Sequence, residues 1–367
     1  MIATGPHPPT PSPDSCLAGE GESRSTVRAT SSLRQKTLAF VAAIMTVILL
    51  VGCGAGDDDI TIIPPPGSPS PSGGVGPVTA DPTPEPTEFR VAYINLMSPL
   101  SLDATNTTAN DTFEARLQII VAELKEFKPD LVAFAEVTET SAERSARAIL
   151  AQELKMEPHY VRAKPWYLGR SKEANDVIRE QAGFEEGELV LVSSRFPSLG
   201  AEKVWLNPRT SEAEGPAGLL VKVKGPASIG TIDVFVSHLT GADAKVRAQQ
   251  AADFAKFVSS KRGGGPAVVL GDLGDPAGSP TQQAFLDIGL TDVLAKSDLQ
   301  TCCRDGLIGE LQPATTRTDY ILTSNWLPSA LANFGHLPKK LDDGTLLFAS
   351  DHNGLTAVFP VGPVPPP

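Results

Sequence analysis

Cysteine and positive charge are both scarce in this chain. Its 367 residues include four cysteines, and lysine and arginine total 31 against 43 aspartates and glutamates, so the formal net charge is -12. The cysteines are Cys16, Cys53, Cys302 and Cys303. Their spacing matches neither a zinc site nor a disulfide framework, so metal binding through sulfur is not expected. The acidic balance disfavours a surface that holds nucleic acid by phosphate neutralisation alone, but it is compatible with a metal-bridged phosphate.

The chain also lacks an apolar run that could span a bilayer comfortably, and it shows no internal repeat. The apolar run 38–51 follows Arg34 and Lys36 and has the shape of a signal-peptide core. It ends in LVGC, which resembles the lipobox of bacterial lipoproteins, and the resemblance implies lipidation of Cys53. The alternative is an ordinary signal peptide or short membrane anchor with an incidental cysteine.

Shifts in composition divide the chain into five parts. Segments rich in Pro, Gly, Ser and Thr without apolar periodicity cannot bury enough surface to fold alone, and they favour extended tethers. We expect a disordered extension at 1–32, a lipoprotein signal peptide at 33–52, a tether at 53–88, a folded domain at 89–360 and a proline-rich tail at 361–367.

Strand and helix patterns alternate through the folded domain. Strands are predicted at 90–96, 131–137, 189–193, 219–223, 231–236, 267–270, 319–323 and 356–359. Helices are predicted at 112–127, 142–154, 245–258 and 281–288. Strands outnumber helices and several have hairpin-like spacing, which favours a two-sheet sandwich flanked by helices over a doubly wound parallel sheet.

The stretch GGGPAVVLGDLGDPAGSP, residues 263–280, places a carboxylate at the end of a buried strand. The short apolar run is rich in β-branched residues, and Gly271-Asp272 ends it. Loops held on a rigid scaffold are where catalytic groups collect. A turn-forming or capping role for Asp272 is the alternative for this stretch alone.

Other predicted strands also end in groups that can bind metal or move a proton. They are Asn95, Glu136, His238, Asp319 and the pair Asp351-His352. Each alone could be a capping or hydrogen-bonded core residue. Because charged groups beside apolar runs are costly unless paired or metal-bound, their recurrence in one domain indicates a shared site.

The order of these motifs resembles the endonuclease/exonuclease/phosphatase superfamily, whose members share a deoxyribonuclease I-like sandwich. The resemblance covers residues 89–360 and rests on PDLVAFAEV, LVSSRFP, SHL, RAQQAADF, GDLGDPAGSP, TRTDYIL and SDHNGL, together with TCCRDG. It implies an α+β fold, a four-layer α/β/β/α sandwich of two mixed β-sheets packed face to face and flanked by helices.

The resemblance also implies a cation site. Asn95, Glu136 and Asp351 would hold a divalent cation through oxygen atoms. Such ligands suit Mg²⁺, with Mn²⁺ or Ca²⁺ as alternatives.

The remaining strand-end residues would handle water and protons in phosphodiester hydrolysis. Asp272 would orient the attacking water. His352 would contact the phosphate while Asp319 fixes its tautomer, and His238 would act as a second imidazole at the phosphate or the leaving group.

Three positions depart from the family pattern. The family usually has an asparagine where this chain has Gly274, so one donor to a phosphate oxygen is missing, which typically costs about two to three orders of magnitude in turnover. If that donor limits the rate, Gly274→Asn should speed turnover. Ala135 replaces a glutamine and Thr318 an apolar residue, and neither is expected to touch a proton-transfer group.

The adjacent Cys302 and Cys303 have two open states, a disulfide with each other under oxidising conditions or buried thiols. A catalytic cysteine is not expected, because acidic surroundings do not favour a thiolate.

The expected function is metal-dependent phosphodiester hydrolysis by an exported, membrane-anchored bacterial lipoprotein, periplasmic or extracellular and monomeric. A nuclease is the most prevalent kind of enzyme in the family. A sphingomyelinase-like or other phospholipid or inositol phosphate phosphodiesterase is the first alternative, since acidic charge and a membrane tether suit it. A catalytically weakened binding protein on the same fold is an alternative of another class, motivated by Gly274.

Overall fold

The structure is a computed structural model that describes residues 85–98, 112–139, 145–163, 185–208, 216–239 and 243–362. The predicted extension, signal peptide and lipidation site Cys53 lie outside these residues, as do most of the tether and of the proline-rich tail. None of the helices in the described ranges is long and apolar enough to cross a membrane.

Fourteen strands and four helices make up the described part of the chain. The strands are β1 (Glu88–Asn95), β2 (Leu131–Glu139), β3 (Glu157–Ala163), β4 (Glu185–Val192), β5 (Ser198–Trp205), β6 (Ala217–Lys224), β7 (Thr231–His238), β8 (Ala267–Asp272), β9 (Thr291–Asp292), β10 (Asp319–Thr323), β11 (Ala330–Phe334), β12 (Lys339–Lys340), β13 (Leu346–Leu347) and β14 (Gly354–Pro360). The helices are α1 (Phe113–Phe127), α2 (Ala146–Leu154), α3 (Ala244–Lys261) and α4 (Pro280–Leu286).

Twelve of these strands form two six-stranded sheets. The spatial order is β11-β14-β1-β2-β4-β3 in the first sheet and β5-β6-β7-β8-β10-β9 in the second, while β12 and β13 form a separate ribbon. Each sheet is mixed because it contains one parallel pair among antiparallel neighbours, β1 with β2 in the first and β7 with β8 in the second. The predicted α+β sandwich of two mixed sheets is confirmed.

The four layers are held together by three apolar clusters. The inner faces of both sheets share one cluster that includes Val91, Ala133, Val190, Val234 and Leu270. The helices α1 and α2 pack on the outer face of the first sheet, and α3 and α4 pack on the outer face of the second. The helices therefore cover the outer faces while the sheets bury each other.

Strand alternation carries the polar strand ends onto the inner faces. Side chains two residues apart share a face, so Asn95 continues the buried face of Val91 and Tyr93, and Asp272 continues that of Leu270. Both residues are buried. Polar groups from the two sheets consequently face each other at one end of the interior.

Several strands were not predicted from the sequence. The strands β3, β5 and β11 lie at or near sheet edges, and β5 exposes most of its residues. An exposed edge strand does not need alternating apolar residues, so its sequence carries little of the pattern on which strand prediction depends.

Candidate active site

A bulge in β2 turns Glu136 towards the space between the sheets. The pairing of β2 with β4 shifts register between Phe134 and Val137, and Glu136 has a φ of 55°. This is the left-handed region, which is unfavourable for a residue with a Cβ. Phe134 and Val137 both pack in the helix layer, so the extra residue sends a carboxylate inwards between two outward side chains. Such strain is typical of functional positions.

The end of β1 binds the Glu136 carboxylate. Asn95 Nδ2 donates to Glu136 Oε1 at 2.9 Å, and the Ser98 backbone N–H donates to Oε2 at 2.7 Å. The same amide group donates to Asp272 Oδ2 at 3.2 Å, while Asn95 Oδ1 accepts from the Met97 N–H at 2.9 Å. Asn95 therefore joins a carboxylate of the first sheet to one of the second.

Asp272 is the acceptor at the centre of the site. The Gly274 N–H donates to Asp272 Oδ1 at 2.9 Å, and Oδ2 lies 3.7 Å from His352 Nε2 and 3.8 Å from His238 Nε2. Burial acts to raise the pKa of Asp272, but the His352 and His238 imidazoles, with the bonds from Gly274 and Asn95, hold it below its ordinary value. Asp272 is therefore an ionised carboxylate at neutral pH.

His352 and Asp319 form a buried pair. His352 Nδ1 lies 2.8 Å from Asp319 Oδ2, and Asp319 stands opposite Asp272 in the pairing of β10 with β8. Burial acts to lower the pKa of His352, but the charges of Asp319, Asp351 and Asp272 raise it well above its ordinary value. His352 is thus an imidazolium whose Nδ1–H is held by Asp319 and whose Nε2–H faces Asp272.

Thr318 touches this pair, contrary to the expectation from the sequence. Its Oγ1 donates to Asp319 Oδ2 at 3.2 Å. The hydroxyl of Thr301 also accepts from the backbone N–H groups of Thr318 and Asp319, each at 3.1 Å. The prediction that Thr318 lies away from the proton-transfer groups was wrong because its side chain turns back onto the neighbouring carboxylate.

Asp351 lies beside the Asn95–Glu136 pair. Ser350 Oγ is 2.7 Å from the Asn95 carbonyl oxygen and 3.1 Å from Asp351 Oδ1. Burial, and further the charge of Glu136, raises the pKa of Asp351, although His352 opposes the shift. A cation bound between the Glu136 and Asp351 carboxylates would relieve their mutual repulsion.

Two buried arginines, which the sequence patterns did not single out, fix the backbone around the site. Arg304 Nη1 donates to the carbonyl oxygens of Ser350 and His352 at 2.9 and 3.1 Å, and its Nη2 donates to Asn353 Oδ1. An arginine inside a polar loop gives no periodic signal, so this role could not be read from the chain.

Arg116 fixes the other side. It projects from α1, and its guanidinium donates to the carbonyl oxygens of Leu96 and Ala349 at 2.6 and 3.2 Å. Burial lowers the pKa of Arg116 to about 10, while Asp351 and Glu136 oppose the shift. It therefore stays charged at neutral pH.

Two further acids, Glu186 and Glu188, lie on the inner face of β4, and no motif in the sequence singled them out. Burial, and then the charge of Glu136, raises the pKa of Glu186 to about 8. Burial, then Glu186, Glu136 and Asp272, raises the pKa of Glu188 well above its ordinary value. Extending the alternation of Val190 by two and four residues would have placed both acids inwards.

The loop after Asp272 has no room for a side chain at Gly274. Gly274 has a φ of +67°, and a Cβ built there would lie 2.8 Å from Arg247 Cδ. Arg247 Nη2 is in turn bonded to Asp275 Oδ1 at 2.6 Å. An asparagine at this position requires Arg247 to move.

The adjacent cysteines lie against His352. Cys302 and Cys303 are joined by a disulfide, which is one of the two states left open by the sequence. Cys303 Sγ is 4.0 Å from His352 Nε2.

The structure brings every predicted catalytic and cation-binding residue to one end of the inter-sheet space. These residues are Asn95, Glu136, His238, Asp272, Asp319, Asp351 and His352. Two groups there have donors suited to a cation. The ligand atoms of Asp272, Asp319 and His352 lie within 4.8 Å of one another. Glu136 and Asp351 offer oxygens only, and the charge of Glu136 raises the pKa of Asp351.

The Glu136 and Asp351 carboxylates fit a hard cation by donor type. Asn95 can join them if its side-chain amide rotates. Its Nδ2 points at the carboxylates, an orientation set by hydrogen bonding. Rotation of the amide would present Oδ1 to a cation held by Glu136 and Asp351.

Two mixed sheets packed face to face, with carboxylates and an Asp–His pair where their strands end, define a deoxyribonuclease I-like α/β sandwich. Residues 101–352 match the family model described as Endonuclease/Exonuclease/phosphatase family. The chain belongs to that family, whose members are phosphoester hydrolases and generally depend on a divalent metal.

Solved structures share the fold at low sequence identity. A humanised D. rerio TDP2 is 17% identical and covers 75% of this chain and 99% of its own, with a TM-score of 0.53. A Bacteroides thetaiotaomicron endonuclease/exonuclease/phosphatase family protein is 15% identical and covers 76% and 100%, with a TM-score of 0.54. The human nocturnin catalytic domain with bound sulfate is 17% identical and covers 75% and 94%, with a TM-score of 0.53. A search of curated protein sequences gave no match.

Proposed function

We propose that this chain is a divalent-cation-dependent phosphodiesterase with a nuclease-like substrate. The observation that carries the proposal is the Asp319–His352 pair, whose Nε2 faces Asp272 Oδ2 at 3.7 Å. An ionised acceptor and a fixed imidazolium donor at this separation can each hydrogen-bond one of two neighbouring oxygens in front of them, the acceptor a water and the donor a phosphate oxygen.

Each side chain has a task in this reaction. Asp272 accepts a hydrogen bond from the attacking water and orients it towards phosphorus. The Nε2–H of His352 donates to a phosphate oxygen, and Asp319 holds the ring through Nδ1. His238, whose Nε2 lies 3.8 Å from Asp272 Oδ2, donates to the phosphate or to the leaving oxygen.

Glu136, Asp351 and the turned amide of Asn95 would hold the cation. Their hard oxygen donors favour Mg²⁺, with Mn²⁺ or Ca²⁺ as alternatives. When bound, the ion supplies positive charge against the negative charge that develops on the phosphate oxygens.

The test is hydrolysis of bis(4-nitrophenyl) phosphate by the purified chain, with Mg²⁺ and with a chelator, followed by a panel of DNA, RNA and sphingomyelin. We expect cation-dependent turnover that Asp272→Ala removes. Equal rates for the wild type and Asp272→Ala would show that the role assigned to Asp272 is wrong. Binding of a panel member without hydrolysis would favour the catalytically weakened binding protein.

One observation favours a phospholipid head group as the second candidate substrate. Ile308, Leu311 and Leu337 are exposed by 45%, 60% and 56%. The last two adjoin carbonyl groups bound by Arg304, at Gln312 and His336. Exposed apolar residues on loops tied to the site suit a membrane-bound substrate, and preferential cleavage of sphingomyelin in the panel would select this candidate.

We further propose that the chain is an exported bacterial lipoprotein, periplasmic or extracellular, anchored through Cys53 and monomeric. The lipobox-like LVGC and the tether composition support this proposal. Mass spectrometry of the mature N-terminus tests it, with Cys53→Ser expected to abolish the lipid-bearing peptide.

A further inference from the structure

The segment that carries Cys302 and Cys303 is hydrogen-bonded at both ends to the backbone of site residues. Thr301 Oγ1 accepts from the Asp319 N–H at 3.1 Å. The Arg304 N–H donates to the Asp351 carbonyl oxygen at 3.0 Å. The cysteine pair therefore forms part of the wall of the candidate site.

The two cysteines differ in how firmly they are held. Cys302 is 5% exposed, and its backbone pairs with Thr316 through N–H and carbonyl bonds of 2.9 and 2.8 Å. Cys303 is only half-buried, and its sulfur faces His352 Nε2 at 4.0 Å. A change at the pair is thus transmitted through the Cys303 side chain.

We propose that the Cys302–Cys303 disulfide is a thiol–disulfide exchange site whose state controls the His352 imidazole. Its reaction partners are dithiols and disulfides, and its effect on turnover rests on the proposed phosphodiesterase function. Neither cysteine takes part in the hydrolysis itself.

The exchange begins at the more accessible sulfur. A thiolate of an external dithiol attacks Cys303 Sγ, the sulfur–sulfur bond breaks, and Cys302 leaves and takes up a proton. The second thiol of the reductant then attacks the mixed disulfide at the reductant's own sulfur and releases Cys303 as a thiol. Two electrons and two protons pass to the pair, and the reductant leaves as a disulfide.

Reduction of the disulfide changes the contact between the Cys303 sulfur and His352 Nε2. Bonded sulfurs are about 2 Å apart, and two thiol sulfurs cannot remain so close. Because Cys302 is buried and pinned to Thr316, the Cys303 side chain has to move. The Nε2–H of the imidazolium needs an acceptor, and a thiol sulfur accepts weakly. Once released from Cys302, the Cys303 sulfur is free to approach Nε2 from 4.0 Å and to compete with the phosphate oxygen for that hydrogen.

The experiment uses the full chain before and after treatment with dithiothreitol, with the state of the pair read by alkylation and mass spectrometry. We expect a disulfide in the isolated protein and roughly a fivefold lower rate of phosphodiester hydrolysis after reduction, the effect of one competing hydrogen bond. Thiols that stay free under oxidising conditions would overturn the proposal.

Two matched variants separate control from a structural role. Cys302→Ala and Cys303→Ala both abolish the disulfide, but only Cys302→Ala leaves a thiol beside His352. We expect neither variant to respond to dithiothreitol, and Cys302→Ala to be the slower. Equal activity losses in the two variants, with equal falls in Tm, would mean that the disulfide serves stability alone.

A readout without turnover keeps this inference separable from the proposed function. In protein labelled with ¹⁵N-histidine, the Nε2 resonance of His352, assigned by its loss in His352→Gln, should shift on reduction in the wild type and not in Cys303→Ala. A shift in a chain that hydrolyses no phosphodiester would refute the function and leave the exchange site standing. If the chain hydrolyses the phosphodiester but neither the resonance nor the rate changes on reduction, the exchange site is refuted and the proposed function stands.

Discussion

Asp319 is fully buried and lies 2.8 Å from Nδ1 of His352. Its carboxylate fixes which ring nitrogen faces the pocket. An amide in its place keeps the size of the side chain but removes the charge that stabilises the imidazolium.

Asp319→Asn should therefore lower kcat by about two to four orders of magnitude, with a Tm near that of the wild type. Thr318→Val is the matched control, since it removes the 3.2 Å hydroxyl bond to the same carboxylate and leaves the charge. The control should lose far less activity. Equal losses in the two variants, measured with bis(4-nitrophenyl) phosphate, would show that the charge is not what matters.

The left-handed backbone at Glu136 predicts that this residue lowers stability while its carboxylate serves cation binding. Glu136→Ala and Glu136→Gly both remove the carboxylate, but only glycine adopts a φ of 55° without a Cβ penalty. We expect Glu136→Gly to exceed Glu136→Ala in free energy of unfolding by about 1 kcal/mol. Both should bind Mg²⁺ more weakly than the wild type in calorimetry. Equal stabilities from urea titrations would contradict the strain.

A second acid near the site makes stability depend on pH. Burial and the charge of Glu136 raise the pKa of Glu186 from 4.5 to about 8. Between these values the native state keeps a proton that the unfolded state has released, so stability falls as pH rises from 4.5 to 8 and levels off above that range.

Glu186→Gln should reduce this slope, which is measured as the urea midpoint at several pH values in a chelator; the raised pKa of Glu188 leaves a remainder. Mg²⁺ beside Glu136 should flatten the wild-type slope, because a nearby cation favours the ionised carboxylate. Parallel curves for the wild type and Glu186→Gln would contradict the shift.

The buried pair of Arg317 and Asp292 predicts a purely structural loss. The guanidinium bonds both carboxylate oxygens, at 3.0 and 2.8 Å. Arg317→Met should lower the free energy of unfolding by about 3–5 kcal/mol, because it leaves a buried charge without its cation. Gln282 still donates to Asp292 at 2.8 Å, which favours the lower end. An unchanged urea midpoint would count against this.

Gly274→Asn alone no longer tests the missing donor cleanly, because its Cβ would meet Arg247 Cδ at 2.8 Å. Gly274→Ala is the matched control, since it brings the same Cβ without an amide. We expect both variants to be less stable than the wild type, by about 1 kcal/mol for the alanine. The asparagine variant should have the higher kcat of the two. A kcat no higher than that of the alanine variant would show that an amide at this position does not assist the phosphate.

Strands and their polar ends could be predicted from the sequence where burial leaves a run or an alternation of apolar residues. The strand over 319–323 was predicted with the bounds it has, because an apolar run flanked by polar residues marks a central strand. The strand-end groups, such as Asn95 and Asp272, could be assigned to one inner face from alternation and the family resemblance.

The rest depends on contacts that a linear pattern does not encode. The bulge at Glu136 shifts the pairing register of β2 with β4 locally, and no residue spacing in AFAEV indicates it. Arg116 and Arg304 reach carbonyl groups that are distant along the chain, and the Thr318 hydroxyl turns back onto Asp319. Glu188 follows alternation, but its place beside the site depends on how closely the two sheets approach.

The division of the site between the two sheets has a consequence for the folding of the chain. Asn95 and Glu136 belong to one sheet and His238, Asp272 and Asp319 to the other, so a folding intermediate with only one sheet formed has half a catalytic apparatus. Recovery of turnover during refolding would then report docking of the two halves, and it should lag behind the recovery of strand signal in circular dichroism.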